Sequence, residues 1–322
     1  MSQRRGATVE VKVDDRTLTA ETSGPDDGRP VFLLHGTPGS RTGPKPRSSA
    51  LQRLGVKLIS YDRPGYGGSS RLRDRKVVDA AADVEAIALE LGLTTFSVVG
   101  RSGGGPHALA CAAMLPKRVR RTAVLVSVAP TNAAGLDWYG GMTTGNVTDY
   151  TIAESDKIML AGRLRARATR TLSDPMSLIE ALRPQMTPAD LRVVRDTGIL
   201  RQLTDSYSEA LRDGPYGWID DVFALRGDWG FDLGSIESKV RIWHGVDDNF
   251  SPVDHARWLA AQIPDAELQL QAVTAHFGAV EVLPSILSWL AAWRDEPTRH
   301  DEPARPAPER PAFAAVRTAV GQ

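Results

Sequence analysis

The chain has 322 residues, 42% of them hydrophobic and 24% charged. That size and balance predict an ordinary globular protein with one large α/β domain carrying an insertion, or two smaller domains. Thirty-nine Lys and Arg offset thirty-nine Asp and Glu, and no basic arm or helix stands out, which excludes a nucleic-acid partner. Cys111 is the single cysteine, which excludes a disulfide framework and a cysteine-based zinc site.

In chain order, "ATVEVKVDDRTLTAETSG" alternates apolar and polar residues around an Asp-Asp-Arg turn and predicts a β-hairpin. "PVFLLHG" at 30–36, "VKLISYD" at 56–62 and "FSVVG" at 96–100 are short continuous apolar runs, the pattern of strands buried on both faces. Between the last two, "VVDAAADVEAIALELGL" places Val77, Ala81, Val84, Ala88 and Leu91 on one face of a helix ending at a glycine. A second helix is expected to begin near Pro106, followed by a strand over "TAVLVSVAP" at 122–130. Strands then return at "VRIWHG" (240–245) and "ELQLQAV" (267–273), with helices at "SPVDHARWLAAQI" and "VEVLPSILSWLAAW". Strand alternating with helix predicts a mostly parallel central sheet covered on both faces.

The alternation lapses between 131 and 235, where the sequence reads as a helical insertion lying over one end of the sheet. The expected organisation is a core in two parts, 1–130 and 236–295, the insertion at 131–235, and a Pro/Arg-rich tail at 296–322. The tail has too little apolar surface to offset its ordering entropy and is expected to be disordered. "MSQRRGATVEVKVDD" lacks an apolar leader core, and no run approaches the ~18 apolar residues of a membrane span. The expectation is a cytoplasmic protein with no membrane partner.

Chemistry concentrates at four places. Gly100-Arg101-Ser102-Gly103-Gly104 fits G-x-S-x-G between a predicted strand and a predicted helix, where a strained turn lifts a serine above the sheet. Gly100 and Gly104 leave room for neighbouring backbone, and the Gly103 N–H at the helix start is placed to meet an oxyanion. "HGTPGS" places His35 and Gly36 at the end of another strand, so that the Thr37 N–H supplies a second donor, with His35 in a structural hydrogen-bonding role. Asp247 and Asp248 follow a strand in "IWHGVDDNFSP", and His276 follows the next in "AVTAHFG". A serine needs an imidazole to take its proton, and the imidazole needs a carboxylate to fix its tautomer. The order Ser, Asp, His, each at the C-terminal end of a strand, suits an open parallel sheet. No metal-ligand spacing is present. Asp62 is read as paired with Arg63 in a structural loop, His107 as a packed or half-exposed helix residue, and His255 as solvent-facing.

These segments, with "DRPGYGGS" at 62–69, resemble the α/β-hydrolase superfamily over roughly residues 8–295, and in particular its capped serine hydrolases with an HGxPG loop. The resemblance implies an α/β-hydrolase fold with a helical cap and a Ser102, His276, Asp248 triad. Asp248 is chosen over Asp247 by the H-G-x-x-D-x-x-x-P register, which the family commonly shows. Thr37 and Gly103 would form the oxyanion hole, with His35, Gly36, Gly100 and Gly104 structural. It implies hydrolysis of a carboxylic ester, thioester or lactone of a small to medium apolar substrate, without a cofactor, by a monomer or homodimer. Proline-iminopeptidase-like, cofactor-free haloperoxidase or perhydrolase, and C–C bond hydrolase activities share this machinery, and a non-enzymatic ligand receptor is the alternative outside catalysis. Relatives with an aspartate nucleophile, the epoxide hydrolases and haloalkane dehalogenases, are set aside by serine at position 102.

Overall fold

The structure is a computed structural model and describes residues 6–293; the expected disordered tail lies outside them. The chain opens with a hairpin, β1 (Ala7–Val13) and β2 (Arg16–Ser23). Asp14 turns through a left-handed φ of 54° between them, a conformation Asp tolerates better than most side chains. Then follow β3 (Arg29–Leu34), α1 (Ser48–Leu54), β4 (Val56–Tyr61), α2 (Ala80–Glu90), β5 (Phe96–Arg101), α3 (Gly104–Met114) and β6 (Val119–Leu125). Six α-helices come next: α4 (Thr144–Ser155), α5 (Lys157–Ser173), α6 (Met176–Leu182), α7 (Pro188–Val194), α8 (Thr197–Leu211) and α9 (Tyr216–Arg226). The chain returns with β7 (Lys239–Gly245), α10 (Val253–Gln262), β8 (Ala266–Gln271) and α11 (Gly278–Ala291).

The eight strands form one sheet in the order β1-β2-β4-β3-β5-β6-β7-β8, antiparallel at β1-β2-β4 and parallel from β4 onward. The reason lies in the apolar runs. In β3, Phe32 and Leu34 pack into a layer with Val84 of α2, Leu109 of α3 and Leu259 of α10. Val31 and Leu33, pointing the other way, pack into a layer with Leu51 of α1 and Leu283, Ile286 and Leu287 of α11. A strand with two apolar faces must be covered twice. Each such leucine contributes roughly 1.5–3 kcal/mol by burial.

A third apolar layer belongs to the insertion, where Leu160, Leu164, Ile179, Leu203, Leu211 and Trp218 pack together. Four of its helices start on side-chain caps, Thr143, Asp156, Thr187 and Asp196, each accepting from a backbone N–H of the first turn. No helix of the described residues is long and apolar enough to cross a membrane.

Three boundaries differ from expectation. The helix after the serine begins at Gly104, so Pro106 lies inside its first turn, where a missing N–H is not needed. β6 starts at Val119 and stops at Leu125, because Val126 takes a φ of 47° that no strand continues. Residues 77–79 form a 3₁₀ turn ahead of α2.

Candidate active site

Ser102 sits between β5 and α3 with φ at 53°, a left-handed conformation that is costly for a residue with a Cβ. The surroundings hold it there. Its N–H donates to Leu125 O at 2.8 Å, while its carbonyl accepts from Ser127 Oγ at 3.0 Å and from the Gly105 N–H at 2.9 Å. A Cβ at Gly100 would collide with the Gly104 carbonyl, and one at Gly104 with the Leu34 carbonyl, so the turn closes only with glycine at both. At Gly36 an added Cβ would make ordinary contacts with Arg101 and Ser102, so no comparable crowding applies there.

The loop after β3 carries Thr37, whose neighbour across the turn is Gly103. A side chain at 103 would run into the Thr37 hydroxyl. Both residues line the cavity that Ser102 faces, and neither amide is taken up by the turn and loop backbone bonds around it. The loop rests on a buried ionic cluster. Thr37 Oγ1 donates to Asp221 Oδ2 at 2.6 Å, and Tyr66 Oη donates to the same oxygen at 2.8 Å. Arg63 and Arg75 both pair with Asp221, Arg75 at 2.6 Å. Arg63 also donates to the His35 carbonyl and, at 3.1 Å, to the Gly36 carbonyl. Burial alone would raise the Asp221 pKa, but the two guanidiniums outweigh it and hold the carboxyl well below its ordinary range. His35 is buried, with Nδ1 2.8 Å from Gly36 O and Nε2 accepting from the Arg63 N–H at 3.2 Å. Burial and then the Arg63 charge push its pKa well down, so it is neutral.

On the other side, Asp248 is buried three residues past β7, while Asp247 is exposed and gives its N–H to Thr274 O. Asp248 Oδ1 accepts the Phe250 and Ser251 N–H groups at 2.8 and 3.0 Å. Its Oδ2 lies 2.9 Å from His276 Nδ1 and 3.2 Å from His244 Nε2. A carboxylate only accepts, so the His276 proton lies on Nδ1 and leaves Nε2 bare. Burial disfavours ionised Asp248, but the His276 charge and the bonds from His244 and His276 prevail and hold its pKa low. Burial likewise works against protonated His276, and the Asp248 charge and hydrogen bond outweigh it, raising that pKa.

His276, Ser102, Thr37 and Gly103 line a single cavity of about 190 Å³, roofed by Trp218, Val222 and other insertion residues. The Ser102 hydroxyl has no hydrogen-bond partner among the described residues. It therefore stands free toward a space shared with His276, a common state before substrate tightens such a site.

A model of the alpha/beta hydrolase fold family matches residues 29–281. The chain belongs to that family. It is 26% identical over 260 residues, 79% of this chain and 83% of the relative, to a 2-hydroxymuconate semialdehyde hydrolase of Pseudomonas putida. It is 34% identical to a proline iminopeptidase of Xanthomonas citri, but over 133 residues, 42% of that relative. Among solved structures, the enol-lactonase of Burkholderia xenovorans LB400 superposes with a TM-score of 0.64 at 17% identity, covering 87% of this chain and 97% of that one.

Within this alpha/beta hydrolase two readings from sequence are corrected. Asp62 does not pair with its neighbour Arg63: it pairs with Arg41, while Arg63 turns to Asp221. Adjacent residues in extended backbone point to opposite sides, so a direct pair was the poorer geometry. His255 does not face solvent. It is fully buried, accepts the Ala129 N–H at 3.0 Å, lies 3.0 Å from Trp138 O, and burial lowers its pKa to about 4. Of the two placements expected for His107, the packed one is found: it is buried, with Nδ1 2.8 Å from Gly103 O.

Residues that sequence reasoning passed over include His244 and Asp221. Asp190 is another: its Oδ1 accepts the Phe277 N–H at 2.8 Å and so fixes the backbone beside His276. A signal for Asp221 was present, since it shares an i, i+3, i+4 face with Trp218, Val222 and Leu225. A carboxylate on an apolar face demands a buried partner.

Proposed function

We propose that this alpha/beta hydrolase is a serine hydrolase that cleaves a carboxylic ester, thioester or lactone of a small to medium substrate through an acyl-enzyme. The observation that carries the reading is the 2.9 Å Asp248–His276 bond aimed into the cavity that the strained Ser102 also faces. Ser102 Oγ attacks the carbonyl carbon while His276 Nε2 takes its proton. Asp248 holds the imidazole's tautomer and stabilises its cation. The tetrahedral oxyanion receives the Thr37 and Gly103 N–H groups. Collapse expels the leaving alcohol or thiol, which takes the proton from His276, and water then repeats the sequence on the acyl-enzyme. The insertion acts as a cap that shapes the acyl pocket.

The similarity to 2-hydroxymuconate semialdehyde hydrolase and to proline iminopeptidases keeps those reactions as alternatives on the same machinery. Against an iminopeptidase with tryptophan after its serine, Thr37 occupies the space such a side chain would need at Gly103.

The pH profile tests the reading. His276 acts as base only when neutral, and its pKa is raised from the ordinary 6.5. The kcat/KM for 4-nitrophenyl butyrate therefore falls as pH drops through a value above 6.5. In Asp248→Asn the opposing charge is gone and burial remains, so the acid limb moves to lower pH. Activity at neutral pH drops roughly 10⁴-fold because the tautomer is lost. A limb that stays in place in Asp248→Asn contradicts the pairing as the source of the base.

A further inference from the structure

We infer that the substrate of the proposed hydrolase carries a second, ionised carboxylate, bound by Arg101 and Tyr207. The inference rests on the acyl-transfer reading and names its substrate class.

Arg101 immediately precedes Ser102 and lines the same cavity. Arg41, Arg63, Arg75 and Arg167, which surround the site, each meet a carboxylate: Asp62 with Glu209, Asp221, Asp221 and Asp149. Arg101 meets none among the described residues. The one hydrogen bond of its side chain is a long one, NH1 to Pro44 O at 3.4 Å. Burial lowers its pKa. Tyr207 comes from α8 and also lines the cavity, and its hydroxyl makes no hydrogen bond among the described residues. Burial raises its pKa to about 12, so it stays a neutral donor.

A guanidinium held away from bulk water without a counter-ion is unfavourable until an anion arrives. Five N–H donors in a planar fork suit a carboxylate, and a phenol O–H beside them adds a third bond. Nothing else in the cavity takes up this charge, since Asp149 is already shared between Arg163 and Arg167. The acyl carbonyl at Ser102 and the carboxylate at Arg101 would then be two ends of one molecule, as in a dicarboxylic acid monoester or a carboxylated lactone.

The test compares mono-4-nitrophenyl esters of glutaric, adipic and pimelic acids with neutral 4-nitrophenyl esters of equal acyl length. At the best length the anionic ester is expected to win by roughly 10- to 100-fold in kcat/KM. That ratio is expected to fall at least tenfold in Arg101→Met and partly in Arg101→Lys. Should Arg101→Met not fold, adipate is expected to slow fluorophosphonate labelling of the native enzyme where adipamide does not. No anionic preference at any length, or a ratio unmoved by Arg101→Met, overturns the inference while labelling of Ser102 leaves the hydrolase reading standing. Failure of Ser102 to label removes both.

Discussion

Replacing Ser102 by alanine lowers turnover of 4-nitrophenyl butyrate on the order of 10⁴-fold or more, and adding His276→Ala lowers it no further, because the two act as one unit. Loss of the hydroxyl alone explains the effect, since the backbone of residue 102 is held by Leu125, Ser127 and Gly105 rather than by its side chain. Glycine makes the sharper variant. At a φ of 53° it removes the Cβ strain, so Ser102→Gly is expected to be equally inactive yet up to about 1 kcal/mol more stable than the native chain. Thermal melting of both variants checks the pair of effects. A glycine variant that is markedly less stable contradicts the view that this corner is strained for the sake of the hydroxyl.

The second large effect belongs to Asp221, which no step of the reaction touches. Asp221→Ala leaves Arg63 and Arg75 buried and facing one another without their shared carboxylate. Stranding one side of a buried pair destabilises by about 3–5 kcal/mol, enough to lower Tm by roughly 5–12 °C in a domain of this size. The Thr37 hydroxyl loses its acceptor too, so the loop carrying the proposed Thr37 oxyanion donor loosens and kcat falls more than KM rises. Calorimetry with steady-state kinetics on Asp221→Ala and Asp221→Asn reads both. A variant with native stability contradicts the role of the cluster.

The sheet was legible because each strand carries its own signal. β3 to β7 are apolar runs covered on both faces, and the glycines at 100 and 104 announce a turn too tight for side chains. The choice of Asp248 over Asp247 came from the register of the resembled family rather than from the residues themselves, and Asp248 is the one that is buried and meets His276. The insertion was legible only as helical. Its caps at Thr143, Asp156, Thr187 and Asp196 mark where helices start, but its apolar faces serve both a private core and the roof of the cavity. Periodicity cannot separate those uses. The Asp221 cluster was missed because its members, Arg63, Tyr66, Arg75 and Asp221, are brought together from segments about 150 residues apart. His255 was misread although it lies four residues before Leu259, on the buried face of α10.

The central claim is that Ser102 is an activated nucleophile, and intact-mass labelling with a fluorophosphonate tests it without knowledge of the substrate. The expected result is a single adduct on the native protein, absent in Ser102→Ala and strongly slowed in His276→Ala and Asp248→Asn. A folded native protein that gains no adduct, or one that gains it equally in Ser102→Ala, contradicts the account.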